Sequence, residues 1–189
     1  MGSQVRVNTE AVTRARAAIA THARMVADFP EHGIEFKDLT PVLADPEGLA
    51  AVVTALTHGC EEVDLVAGID ARGFLLGGAV ARELGVGVLA VRKGGKLPPP
   101  VHTVDYELEY GSARLEIPAD GITVSGARVL LVDDVLATGG TAVAAAELLH
   151  LAGADVTGIA VIMELTALGG RERIAAALGD VRLHVVTTD

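Results

Sequence analysis

Over roughly the last two thirds of the chain, short apolar runs alternate with segments of helical spacing, and this alternation constrains the fold more than any other property of the 189 residues. The runs 65–69, 86–91, 129–132, 156–163 and 181–186 have strand length and are apolar on both faces. Segments 74–84, 141–151 and 171–178 carry helical periodicity between them. Strands buried on both faces and joined by helices form a parallel sheet covered on both sides. The expected class is α/β, a doubly wound, mostly parallel sheet flanked by helices, in a single domain over residues 1–189.

The first third reads as two helices. After Asn8 or Thr9, either suited to cap a helix, Val12, Ala15, Ile19, Ala23 and Val26 recur at helical spacing until Phe29-Pro30 stops the pattern. Asp45-Pro46 reads as an N-cap followed by a first-turn proline, opening a helix through Leu49, Val52, Val53 and Leu56 that ends near Gly59. The alternation is interrupted once, over residues 92–118. That stretch holds Gly94, Gly95, three prolines at 98–100, and two strand-like runs, 106–110 and 113–117, around Gly111-Ser112. It predicts a flexible loop followed by a small hairpin, and a connection of that length inside a compact domain is usually functional or disordered.

Composition narrows the function. Half the residues are hydrophobic and only 3% aromatic, so the core is Ala, Val, Leu and Ile, too rich for disorder. A formal charge of −10 argues against a nucleic-acid binder, so an anionic ligand must be held by local donors. The single Cys60 forms no internal disulfide, and no opening stretch resembles a signal peptide. No apolar run reaches the ~18 residues of a membrane span, and the expected location is the cytoplasm. His22, His32, His58, His102, His150 and His184 have no zinc-site spacing.

Open α/β sheets bind ligands at the carboxyl ends of their strands. The most informative such end is Val129-Leu130-Leu131-Val132-Asp133-Asp134-Val135-Leu136-Ala137-Thr138-Gly139-Gly140-Thr141. A strand runs into two carboxylates and then a small-residue turn whose amides stand open at a helix N-terminus. Residues Ala137, Thr138, Gly139, Gly140 and Thr141 make a phosphate cradle from those amides, the helix dipole and two hydroxyls. Asp133 and Asp134 only accept hydrogen bonds, which suits sugar hydroxyls or a hydrated magnesium ion. Together they describe a ribose 5-phosphate. A second turn, Gly68-Ile69-Asp70-Ala71-Arg72-Gly73, is suited to hold diphosphate through backbone amides and the Arg72 fork. Gly68 and Gly73 have the outer spacing of a nucleotide-triphosphate loop, but Phe74-Leu75 stands where Lys and Ser/Thr are needed. Lys93 and Lys96 bracket glycines at the start of the interruption. Glu107 and Glu109 at its end share one strand face, so periodicity leaves either open as a functional acid.

The thirteen-residue string resembles the phosphoribosyl-diphosphate signature of the type I phosphoribosyltransferases, and its Leu136-to-Thr141 ending resembles the adenine-specific branch of that family. Phe29-Pro30, residues 33–38, Asp45-Pro46, residues 68–73, Arg92-Lys93, residues 95–98, 108–111 and 164–166 fall in the family's order over about 29–178. The resemblance implies a small hood at about 29–44 with a contribution near 164–170. It also implies a strained or cis non-proline peptide near Asp70-Ala71, where Ala71 stands for a frequent Ser. By the same resemblance Lys93 and Lys96 neutralise diphosphate, Glu109 handles the purine proton and Tyr110 covers the sugar. The base lies against the segment Glu35-Phe36-Lys37, with Leu165 packing on the ring. Glu35 stands where relatives are often apolar and Lys37 for a common Arg.

The implied reaction joins adenine to 5-phosphoribosyl 1-diphosphate, giving AMP and diphosphate in purine salvage. Magnesium is carried by the diphosphate, with Asp133 and Asp134 as its protein contacts if it has any. No nucleic acid or membrane partner is expected, and composition and family both suggest a homodimer. Other functions remain to be weighed: the same fold acting on hypoxanthine or xanthine, a regulatory protein that senses phosphoribosyl diphosphate and binds nucleic acid, and a structural module. The charge, the short N-terminal segment and the presence of Glu109 and the lysines oppose the regulator, and the loop chemistry is unexplained by a structural role.

Overall fold

The computed structural model describes all residues except 1, 29–31, 34, 61 and 108–110, with backbone alone for residues 2–9. They form two compact units, Met1–His58 and Gly59–Asp189. The first holds α1 (Gly2–His22), β1 (Arg24–Ala27), β2 (Glu35–Asp38), α2 (Thr40–Ala44) and α3 (Pro46–Leu56). The helix expected to run through Val26 ends at His22, closed by Ala23 N donating to Ile19 O at 2.9 Å. Residues 24–27 instead pair antiparallel with β2, Val26 opposite Phe36. Over four residues the helical and strand periods are not separable, and the cross-strand ladder decides. Asn8 and Thr9 lie inside α1 rather than capping it. Asp45 does cap α3, its Oδ2 accepting from Gly48 N at 2.7 Å, with Pro46 in the first turn.

The second unit carries a seven-stranded sheet in the order β5-β6-β4-β3-β7-β8-β9. Its elements are β3 (Leu65–Ile69), α4 (Arg72–Leu84), β4 (Gly87–Lys93), β5 (Val101–Glu107), β6 (Ser112–Pro118), β7 (Arg128–Leu136), α5 (Gly140–Leu151), β8 (Asp155–Glu164), α6 (Gly170–Leu178) and β9 (Arg182–Thr188). β4, β3, β7, β8 and β9 are parallel neighbours, while β6 runs antiparallel to β4 and β5 to β6. The doubly wound α/β expectation therefore holds in this unit. The interruption is mostly strand: β5 starts at Val101 and pairs with β6 from Val101–Pro118 to Glu107–Ser112, so the loop expected before the hairpin shortens to residues 94–100. β-branched Val101, Thr103 and Val104 favour the longer strand.

Chain order reverses between β3 and β7, which pair from Leu65–Val129 to Gly68–Val132. Ligands of open α/β sheets bind at such a switch point, and here it sets the turn after β3 beside the turn after β7. α5 buries Ala142 to Ala146, Leu148 and Leu149 in one core with Leu131, Ile159 and Val161. On β3 the helix backbone comes so close that a Cβ on Gly68 would stand 2.2 Å from Gly73 O, and one on Gly77 3.1 Å from Gly68 Cα. Gly68→Ala is accordingly expected to lower unfolding free energy by about 1–3 kcal/mol in a urea titration, whereas Gly78→Ala, with nothing within 4 Å of its Cβ position, should not destabilise. Equal stability of the Gly68 variant and the parent would contradict this packing.

Candidate active site

β7 delivers the chain into the turn Ala137-Thr138-Gly139, and α5 starts at Gly140. Gly139 caps the helix with φ 78° and no side chain fills the cap. Val143 N already donates to Gly139 O at 3.0 Å. The amides of Gly140, Thr141 and Ala142 precede the first full turn and have no acceptor within the helix. Such amides at a helix N-terminus favour an anion. Residues Ala137 to Thr141 line one cavity of about 90 Å³ together with Ile69, Asp133 and Val135. The five cradle residues named from the sequence are thus brought together.

Two supports of this cradle are not evident from the sequence. Gly170, at the start of α6, lies under the turn: a Cβ there would stand 2.2 Å from Ala137 O, and one on Gly139 2.8 Å from Gly170 O. The adjacent Gly169-Gly170 pair was the available signal. Tyr106 of β5 is the second, its phenol oxygen accepting from Thr141 Oγ1 at 3.4 Å.

The two acids separate. Adjacent residues on an extended strand point to opposite faces, and only Asp133 lines the cavity. Asp134 is buried and forms an ion pair with Arg72 Nε, while its own N–H donates to Asp133 Oδ1 at 2.9 Å. Arg72, named for diphosphate, is therefore positioned by an acid named for the sugar. Burial, and then the negative charge of Asp134, push the Asp133 carboxyl up to about 8.

The Asp70-Ala71 peptide is cis, as the resemblance implies. Asp70 Oδ2 accepts from Lys93 N at 3.4 Å and lies 3.5 Å from Arg92 Nε, whose guanidinium sits 5.5 Å over the Phe74 ring. Lys93 and Lys96 are exposed. Between them the backbone is held by Glu116, a residue that no sequence signal singled out. Its buried carboxylate accepts from Gly95 N at 3.0 Å, Lys96 N at 2.5 Å and Leu97 N at 2.7 Å. Burial alone would raise this acid, but the three amides outweigh it and hold the group below its usual range.

Of the residues assigned to the base, Glu35 is exposed and Lys37 half-buried on β2 of the first unit. Leu165 belongs to the second unit, half-buried just after β8, with its N–H donating to Leu136 O at 2.8 Å. The segment after it is tethered by Asp189 Oδ1, which accepts from Thr166 N and Oγ1 at 3.0 Å each, and by the two-pronged Arg171–Glu164 pair at 3.1 and 2.5 Å. Glu109 and Tyr110 lie outside the described residues, as do Phe29, Pro30 and Ile34; Glu107 is exposed at the end of β5. Among the described residues no group of three or more His, Cys, Asp and Glu could hold a metal ion, and no helix is long and apolar enough to cross a membrane.

A turn of open amides at the switch point, an acid beside it and an Arg-bearing turn across from it are the features expected of a class that handles phosphorylated ribose. In agreement, residues 39–179 match the model of the phosphoribosyl transferase domain, and the chain belongs to that family. Its relatives are adenine phosphoribosyltransferases. The protein of that name from Mycolicibacterium smegmatis is 64% identical over 168 residues, covering 89% of this chain and 93% of the relative. The crystal structure of adenine phosphoribosyltransferase from Rhodothermus marinus superposes with a TM-score of 0.85 at 44% identity, covering 94% of this chain and 99% of that one. That of the Giardia lamblia enzyme complexed with 9-deazaadenine gives 0.82 at 40% identity, covering 94% and 97%.

The raised Asp133 has a consequence for stability. Its folded value of about 8 lies above the ordinary 3.8, so the folded chain binds this proton more tightly than the unfolded one. The contribution to stability is then lost as pH rises between those values. Asp133→Asn removes the charge, so its melting temperature relative to the parent should climb from pH 4 to about pH 8 and level off above. A difference that stays flat across this range would refute the assignment.

Proposed function

We propose that this chain transfers the 5-phosphoribosyl group from phosphoribosyl diphosphate to adenine, giving AMP and diphosphate. The observation that carries the proposal is the uncapped amide cradle of residues 137–141, which lines one cavity with Asp133 at the switch point of the sheet. The names of the relatives, and the 9-deazaadenine held by the one from Giardia lamblia, support adenine as the base.

The reaction is a displacement at the anomeric carbon. The bond to diphosphate breaks early, positive charge gathers on the sugar, and the adenine nitrogen attacks, so the protein must hold both reactants in line and stabilise the leaving group. The amides and hydroxyls of Ala137, Thr138, Gly139, Gly140 and Thr141 hold the 5-phosphate. Asp133 accepts from a ribose hydroxyl on the cavity side, and Asp134 orients Arg72 toward the leaving diphosphate. Lys93 and Lys96 add charge to the same group. Tyr110 covers the sugar and excludes water, which would otherwise capture the cationic ribose. Glu109 accepts the ring proton of adenine as the new bond forms and returns it in the reverse direction.

Magnesium fits the donor set through the diphosphate rather than through the protein alone. At Asp133, burial and then the charge of Asp134 disfavour the ionised carboxylate, and a neighbouring cation would favour it. The ion would offset the charge of the diphosphate, with Asp133 as its candidate protein contact; Asp134, named with it from the sequence, is taken by Arg72 away from the cavity. Base choice rests on a donor and acceptor pair. Adenine pairs an amino donor with a ring acceptor and hypoxanthine reverses both, so main-chain groups of the segment Glu35-Phe36-Lys37 suffice for discrimination of roughly 10⁴. A single buried cysteine is compatible with the cytoplasm.

Mixing the protein with adenine, phosphoribosyl diphosphate and magnesium should yield AMP, with hypoxanthine and xanthine slower by roughly 10⁴. Glu109→Gln is expected to lower turnover by about 10²–10⁴ while still binding the sugar donor; if Glu107→Gln does so instead, the wrong acid has been assigned. Gly170→Ala should raise the KM for phosphoribosyl diphosphate about tenfold by displacing the Ala137 carbonyl. Gly169→Asn is compatible with its φ of 65° and with a Cβ position that meets only Glu172 Oε2, at 3.8 Å, and should not. Equal KM values for the two variants would remove Gly170 from the account.

A further inference from the structure

The segment that carries Lys93 and Lys96 would be a poor electrostatic clamp if its backbone were free. Two lysines on an open glycine turn pay the entropy of ordering each time a polyanion binds. In this structure the turn is already ordered, and by an unusual device. Gly95, Lys96 and Leu97 aim three consecutive N–H groups at one carboxylate, an arrangement that backbone turns use to cradle anions. The anion in it is the protein's own Glu116.

Glu116 is well placed to hold that position. It is 3% exposed, and a charged group at that depth survives only with partners enough to replace water. It stands directly across from Arg92 in the β4–β6 pairing, where opposed residues share a face. Arg92 in turn lies 3.5 Å from Asp70, and Asp70 accepts from Lys93 N at 3.4 Å. Gly94 N donates to Arg114 O at 2.9 Å, and Ala119 N to Pro100 O at 3.0 Å, tying both ends of the loop to β6 and its exit. The lysine turn is thus bound on one side by Glu116 and on the other by the turn that carries Arg72.

We propose that Glu116 is a positioning residue of the transfer reaction: its carboxylate fixes the Gly95–Leu97 backbone so that Lys93 and Lys96 meet the diphosphate from a preformed support. This rests on the function proposed above for the lysines, but the support itself can be read without any activity. A glutamine at 116 keeps the size and loses the charge, and its amide nitrogen turns a donor toward the amides that need an acceptor.

Two measurements test it. In the unmodified protein, the amides of Gly95, Lys96 and Leu97 should exchange with solvent at least about tenfold more slowly than an open loop allows; exchange at the free-peptide rate overturns the proposal. In Glu116→Gln, tryptic cleavage after Lys93 and Lys96 should rise about tenfold, and the KM for phosphoribosyl diphosphate should rise about tenfold with that for adenine unchanged. Parent-like cleavage, or an equal rise in both KM values, overturns it as well. The exchange measurement decides alone if Glu116→Gln fails to fold. Slow exchange in a parent protein that makes no AMP would leave the anchor standing and remove the proposed function. Free exchange in a parent that makes AMP would do the reverse.

Discussion

The pairing of β3 with β7 is the constraint on which the rest of the second unit depends. These two strands reach the same edge of the sheet from opposite halves of its winding, and their parallel register, Gly68 opposite Val132, sets the Arg72 turn beside the phosphate turn. The approach is tight because Gly68, Gly73 and Gly77 let α4 lie almost on the strand backbone. With larger residues α4 would stand off, and the Asp134–Arg72 pair would not close. Shape comes first here and charge second.

Charge is then handled locally. A chain with a formal charge of −10 offers a polyanion fixed amides and a few local cations rather than a positive surface. The cradle of residues 137–141 offers a helix N-terminus, and the turn after β3 offers Arg72. The acids of the site are not left as bare repulsion. Asp134 neutralises and aims Arg72, Glu116 is consumed by three amides, and Asp70 faces Arg92. Asp133 alone of these lines the cavity, and burial there, with the charge of Asp134, holds its carboxyl well above the ordinary range.

Much of this was legible in the sequence. β3 matched its apolar run end for end, and α4, α5, α6, β7, β8 and β9 fell within a few residues of theirs, because hydrophobic periodicity and helix-capping chemistry are local. The phosphate turn was legible for the same reason, since a strand, two acids and a glycine turn are contiguous. The misreadings lie where local signals tie. Residues 24–27 suited a helix or a strand, and pairing with β2 decided. The hairpin expected after β4 is present, but its first strand starts at Val101 rather than near Tyr106, because glycines and prolines marked the preceding residues as loop and pairing with β6 decided otherwise.

The amino-acid order by itself determined the layered α/β class, the limits of most elements, and the glycine turn that leaves the α5 N-terminus uncapped after β7, all of which follow from neighbours along the chain. Tertiary structure alone decided that Asp134 holds Arg72, that Gly170 and Tyr106 support the cradle, and that Glu116 closes the lysine turn. Each of these joins segments tens of residues apart in the chain. A sequence records which groups exist, but only the packed backbone sets the distances at which a carboxylate finds an amide or a guanidinium.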